Sequence, residues 1–455
     1  VGSEMCIRDR FIIEIKRAII MIDLRSDTVT LPSPEMKEFM FHASIGDDVY
    51  GEDPSVNLLE NKTCDLFGKE DALFVPSGTM ANLISVLTHC DRGDEILLGN
   101  QSHIFKYEAG GSSVLGGVHS HQLNNNDDGT IDINDILLAV NDTEDTHYAK
   151  TKLLCLENTH NRCYGSAIPV KYFQDVRDAI KPHALKIHLD GARIFNASVA
   201  LNEPVDKLVE NVDSLSCCLS KGLSCPSGSM VIGTKKFINK ARRLRKMLGG
   251  GMRQSGIMAS AGIYALDYMI DRLKEDHINA QNLSNEISKI NGLEIDTTKV
   301  KTNLVFFKLT KDNLNANQLM KKLYEEDIKI DYKGNNIFRM VTHNGLKNNP
   351  TTIHCKFNRL VVMVTHNQSW HSVSPIKFEG KRCCISNYYF SDFPIDDRNK
   401  FHVTSFRARP RQQRYALIFK FDVFYEKDFH NRKGQFIYKV FCFSAPIMFE
   451  KLSTK

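Results

Sequence analysis

The sequence predicts an α/β fold: a large domain with a mostly parallel sheet sandwiched by helices, followed by a smaller C-terminal α+β domain. Three observations carry this. Apolar runs of strand length recur between helix-like patterns across residues 21–346, the alternation that builds a sheet covered by helices on both sides. Each run closes on turn-forming or polar residues. A long amphipathic stretch then leads into a second, shorter set of strand patterns.

The strand candidates, in order, are ALFVPSG, EILLGN, KLLCLENT, LKIHLDGA, SLSCCLS and SMVIGT. Between them, KYFQDVRDAIK places Phe173, Val176 and Ile180 on one helical face. The stretch Asp267 to Ile290 reads as one long amphipathic helix with Ile278, Leu283, Ile287 and Ile290 near helical spacing. It bridges to a small domain that contains TNLVFFKL and NNIFRMVTH. The boundaries that follow are 21–265 for the large domain and 266–346 for the small one.

Composition separates the remaining segments. The first ten residues, VGSEMCIRDR, resemble translated adapter sequence, so residues 1–20 are read as a non-native leader and Met21 as the natural start. Residues 347–455 hold 19 Lys and Arg against 8 Asp and Glu, although the whole chain is nearly balanced at 59 against 54. That basic tail shows neither helical nor strand period and is expected to be read-through or a mis-joined gene segment, with a basic accessory domain as the alternative. The chain has 12 cysteines with no CxxC pair, which argues against a zinc site or disulfide framework and for a reducing, cytoplasmic setting. No apolar run reaches the roughly 18 residues of a membrane helix. The basic run KARRLRK reads as a solvated helix face or subunit contact, so neither membrane nor nucleic acid is an expected partner.

Chemistry concentrates at strand ends, where open α/β sheets bind ligands. The run KIHLDGAR ends in Asp190, with Arg193 just beyond. FVPSGTMANL brings Ser77, Gly78 and Thr79 to the start of a helix, where backbone N–H groups form a phosphate cup. No phosphate-loop or dinucleotide fingerprint accompanies it. Lys221, in SLSCCLSKGLSCPSGSM, follows an apolar strand, a setting that destabilises an ammonium and favours the nucleophilic amine. A phosphate cup, an acid and a lysine at successive strand ends are the three contacts that pyridoxal 5'-phosphate needs.

With MIDLRSDTVT, GDDVYGEDPSVNLLE, PSGTMANL, LLCLENTHN, HLDGARIFNA, CLSKGL, RKMLGGGMRQSGIMASAGIYAL and FRMVTHNGL in this order, the chain resembles the low-specificity L-threonine aldolases. These belong to the aspartate-aminotransferase-like group of pyridoxal phosphate enzymes. The resemblance implies retro-aldol cleavage of L-threonine or L-allo-threonine to glycine and acetaldehyde, with Lys221 forming the Schiff base and Asp190 partnering the pyridinium nitrogen. It places Ser77, Gly78 and Thr79 on the phosphate and stacks His103 on the ring. Ser26, Arg193 and Arg339 hold the substrate carboxylate, and His147 lies near the substrate hydroxyl. Tyr50 reaches the site across a subunit boundary, within a homodimer or homotetramer, and Arg253 reaches a neighbouring subunit's phosphate. His103, His147 or a water between them is the expected base, and Glu108 is expected to orient a loop. No metal is implied. The related alternatives are serine-hydroxymethyltransferase-like, phenylserine-cleaving and β-eliminating enzymes, or a catalytically impaired homologue. Two departures stand out: GLSCPSGS replaces the usual GLGAPVGS, and the basic tail replaces the terminal helix expected after VTH.

Overall fold

The computed structural model describes residues 21–142 and 144–346, all within one compact unit. The expected leader and basic tail lie outside the described residues. The described chain opens on β1 (Ile22–Asp23). Seven strands follow: β2 (Asp71–Val75), β3 (Asp94–Gly99), β4 (His119–Leu123), β5 (Lys150–Glu157), β6 (Lys186–Asp190), β7 (Ser214–Cys218) and β8 (Ser229–Gly233).

These seven form one sheet in the order β2-β8-β7-β6-β5-β3-β4. All neighbours from β7 to β4 pair in parallel, whereas β8 runs against both β2 and β7. The link Leu219–Gly228 is too short for the helical crossover that parallel neighbours require, so β8 returns antiparallel. Successive residues serve opposite faces. Leu97, Leu154 and Ile187 enter a large core that also buries Phe173, Val176 and Ile180, while Ile96, Leu98, Leu153 and Cys155 pack on the other side. Burial on both faces explains why these strands read as unbroken apolar runs. All six expected strands are present. The edge strand β4, HSHQL, was missed because its side chains are mostly polar and partly exposed.

The long amphipathic helix is corrected by the structure. Its first two residues, Asp267 and Tyr268, close the helix Gly256–Tyr268, and a separate, shorter helix runs over Leu273–Ile287. The buried face of the second carries Leu273, Asp276, Ala280, Ser284 and Ile287, while Ile278 is 52% exposed. Asp276 is neutralised by Arg272 one turn earlier, which lets a carboxylate occupy a face that hydropathy assigns to solvent.

Beyond it lie β9 (Leu293–Glu294), β10 (Leu304–Leu309), β11 (Ile328–Lys329), β12 (Asp331–Gly334) and β13 (Ile337–Val341). An antiparallel sheet runs β12-β13-β10-β9. Its core of Val305, Phe307, Phe338 and Met340 also takes Leu24 from the other end of the chain, because β1 pairs in parallel with β11. This pairing carries residues 25–30 across to the ends of the large sheet.

Candidate active site

The C-terminal ends of β5, β6 and β7 converge on one site. Asp190 closes β6 and is 2% exposed. Its Oδ2 accepts from Asn82 Nδ2 at 2.9 Å and its Oδ1 from the Ala192 amide at 3.1 Å. Burial alone would raise its carboxyl, but the charges of His103 and Lys221 and the Asn82 hydrogen bond hold it below the usual range. A carboxyl held low in this way suits a pyridinium N–H as its partner. Lys221 lies in the β7–β8 link with Nζ 3.5 Å from Cys218 Sγ. Its carbonyl accepts from Thr30 Oγ1 at 2.9 Å and from the Ser224 amide at 2.9 Å. Ser224, where the resemblance expects glycine, sits at φ +63°, the left-handed region that favours glycine.

Ser77 caps the helix Gly78–His89, its Oγ accepting from the Met80 amide at 3.2 Å. A Cβ on Gly78 would stand 2.5 Å from Cys218 Sγ, so only glycine brings this helix start against the lysine loop. The nearby Ser229 Oγ is buried without a partner. A helix N-terminus, the unpartnered Ser229 hydroxyl, a carboxyl held low and a lysine fit the phosphate, ring nitrogen and aldehyde of pyridoxal phosphate.

Two guanidiniums face this cradle. Arg193 Nε and Nη2 donate to both oxygens of Asp27, each at 2.7 Å. Burial would raise the Asp27 carboxyl, yet the Arg193 charge and hydrogen bonds hold it far below its ordinary value. The remaining Arg193 Nη1 points at Asn161 Oδ1 (3.5 Å), which also accepts from Arg339. Arg339 Nε is buried without a partner, a donor suited to an incoming carboxylate. Its Nη2 donates to the Arg25 carbonyl at 2.9 Å, next to Ser26, which caps the turn Asp27–Val29.

His103 Nδ1 lies 2.9 Å from Glu108 Oε1, and its backbone amide donates to Glu157 Oε2 at 2.7 Å. The ligand-type atoms of His103, Glu108 and Asp190 lie within 4.8 Å of one another; hydrogen bonds through the Asn82 amide account for their convergence.

Two expected residues do not reach this pocket within the chain. His147 precedes β5, at the end of that strand opposite Glu157, and is 88% exposed with Nδ1 on Asp145. Asn141 and Thr151 both donate to buried Glu95, which anchors the loop at the strand starts. Tyr50 is 74% exposed: buried Asp48 is drawn inward by Arg245, and the turn that results points Tyr50 outward beneath Arg253. Asp27, Asn82, Glu157 and Asn161 were missed as site residues. Each lies inside a motif already quoted, but partners from distant segments give it its role.

A lysine, an ionised strand-end acid and an anion-ready helix start at one sheet edge define a pyridoxal phosphate enzyme on an α/β scaffold. Residues 23–310 match the model of the family described as beta-eliminating lyase. The chain is 45% identical over 325 residues to low-specificity L-threonine aldolase 1 of Arabidopsis thaliana, covering 71% of this chain and 91% of that one. It is 43% identical over 323 residues to the low specificity L-threonine aldolase of Escherichia coli K12, covering 71% and 94%. Among solved structures, a Leishmania major threonine aldolase superposes with a TM-score of 0.60 at 19% identity, over 71% of this chain and 94% of the other; at that identity the likeness concerns the fold. The chain thus belongs to the beta-eliminating lyase family and stands within it beside the low-specificity L-threonine aldolases.

Proposed function

We propose that this chain cleaves L-threonine or L-allo-threonine to glycine and acetaldehyde by a pyridoxal phosphate-dependent retro-aldol reaction. The observation that carries the reading is the pair of buried guanidiniums, Arg193 and Arg339, meeting at Asn161 beside the lysine and acid. They bind the amino acid carboxylate together with Ser26. Gripping it there would fix the orientation of the α-carbon to β-carbon bond, and orientation selects the bond that breaks. Lys221 would hold pyridoxal phosphate between turnovers and give it up to the substrate amine, and the bound cofactor would supply the electron sink for the pair left on the α-carbon. His103 takes the β-hydroxyl proton as the bond opens and acetaldehyde departs, and a proton returned to the α-carbon completes glycine. Ser77, Gly78 and Thr79 hold the phosphate, and Asp190 keeps the ring nitrogen protonated.

The site is completed in a homodimer or homotetramer, where Tyr50 of one copy serves its neighbour. Leu31, Phe41, Ile45 and Tyr50 in one exposed segment support this, as does the absence of His147 and Tyr50 from the chain's own pocket. The compartment is cytoplasmic on this reading: the seven described cysteines are free, and no helix among the described residues is long and apolar enough to cross a membrane. The proposed organisation retains a large domain over 21–265 and a small one over 266–346.

Product analysis tests the reaction. Incubation with L-allo-threonine should give glycine and acetaldehyde in equal amounts; 2-oxobutyrate and ammonia would instead assign β-elimination. Lys221→Ala should abolish both turnover and the visible band of lysine-held cofactor, and wild-type cleavage by that variant would remove Lys221 from the mechanism.

A further inference from the structure

We infer that Glu108 is a positioning residue, held by Asn82, that keeps a proton on His103 Nδ1 and leaves Nε2 as the atom that takes the substrate's hydroxyl proton. The inference rests on the retro-aldol reading for the substrate and on the following hydrogen bonds for the histidine.

Asn82 lies on the helix Gly78–His89 and is 2% exposed. Its Nδ2 donates to Glu108 Oε1 at 2.8 Å and to Asp190 Oδ2 at 2.9 Å, so both amide hydrogens are spent on carboxylates. Its Oδ1 accepts from Ser216 Oγ at 2.7 Å and faces His188 Nε2 at 3.2 Å. The opposite amide orientation would set an oxygen against two carboxylate oxygens, which leaves this one. His188 is wholly buried, and burial pushes its pKa down to about 3; it is neutral and has one N–H to give. An Asn82 Oδ1 that accepts calls for that hydrogen on Nε2, which leaves Nδ1, 2.9 Å from Ser214 Oγ, to accept. Ser214 Oγ in turn accepts from His89 Nε2 at 2.8 Å. This chain through the sheet fixes the amide, and the amide fixes Glu108.

The two acids are driven apart. Burial and the neighbouring Asp190 charge raise the Glu108 carboxyl, against its hydrogen bonds from His103 and Asn82, while Asp190 stays low. Glu108 Oε1 accepts from His103 Nδ1 at 2.9 Å. Glu157 pins the histidine backbone, and the Tyr107 ring packs 5.4 Å away, centroid to centroid. The groups facing the imidazole are Glu108 on its own segment, Asp190 from β6, Lys221 from the β7–β8 link and Glu157 from β5. Burial lowers the His103 pKa, but the Glu108 hydrogen bond and the two acidic charges more than offset burial and Lys221, so it ends raised. A carboxylate on Nδ1 therefore makes Nε2 the more basic nitrogen and aims it at the cradle.

The test uses the full chain with 13C- and 15N-labelled histidine, with and without pyridoxal phosphate, and His103 assigned by comparison with His103→Asn. The neutral ring should show hydrogen on Nδ1, bare Nε2 and titration above the ordinary histidine value. Glu108→Gln should lower the His103 proton affinity at least about tenfold and move the acid limb of kcat/KM to lower pH by the same amount. In a His103→Asn background, Glu108→Gln should leave the pH profile unmoved. Hydrogen on Nε2 in the wild type overturns the inference, and this arm stands even where Glu108→Gln does not fold. A uniform rate loss with unmoved His103 titration overturns it too, because it marks Glu108 as structural only. An inactive, cofactor-loaded chain with hydrogen on Nδ1 overturns the retro-aldol reading and leaves the Glu108–His103 arrangement standing; hydrogen on Nε2 in an active enzyme overturns that arrangement alone.

Discussion

Arg193 shows how a residue can be read correctly in kind while its working partner escapes notice. HLDGAR announces an arginine beyond a strand end; that two of its three guanidinium nitrogens are committed to Asp27 depends on a segment 166 positions away. Asp27→Ala would leave a buried cation unpaired, a loss worth about 3–5 kcal/mol. We expect a lower denaturation midpoint and a raised KM for the amino acid, and unchanged values of both would remove Asp27 from the substrate grip. The pair also sets a pH dependence. Because the folded-state carboxyl is depressed, its stabilisation is fully present above about pH 4 and disappears as the pH falls through the depressed value. His103 sets a limit in the same direction but at higher pH: its raised pKa means that activity falls as the pH drops through a value above its ordinary one.

At the scale of elements, the closest fit is between the helix Gly78–His89 and the β7–β8 link. The glycine that opens the helix has no room for a methyl group, since Cys218 Sγ would lie 2.5 Å from it. Gly78→Ala should weaken pyridoxal phosphate affinity at least about tenfold by pushing the helix start off the lysine loop. Adding Cys218→Ala removes the obstructing sulfur and should recover part of that affinity. Titration of cofactor absorbance reads both variants; equal affinity for Gly78→Ala and wild type would show that the phosphate does not use this turn. Strand ends were legible because apolar runs on two buried faces are long and unbroken. The buried face of the helix Leu273–Ile287 was not, because a neutralised Asp276 and a buried Ser284 look like solvent-facing positions to a hydropathy pattern.

Across the whole molecule, Tyr50 and His147 lie outside the pocket their own chain builds. Should Tyr50 serve the neighbouring copy, subunit mixing will reveal it. Lys221→Ala and Tyr50→Ala chains, each inactive, should regain about a quarter of wild-type activity when mixed equally and reassembled, since half the dimers are hybrids with one intact site each. No recovery, with hybrids verified by mass, would place Tyr50 in its own subunit's site or nowhere near one.

The sequence by itself determined the α/β class, the strand ends that carry Ser77, Asp190, Arg193 and Lys221, and the family to which the chain belongs. These features are local: a hydrophobic run, a turn and one reactive side chain are all written within a few residues of each other. Only the tertiary structure decided the antiparallel return of β8, the pairing of β1 with β11 that brings Ser26 and Asp27 to the site, and the Asn82 network behind His103. Those depend on which buried donor meets which acceptor. A buried polar group is stable only with its partner in place, and that partner is supplied by distant chain.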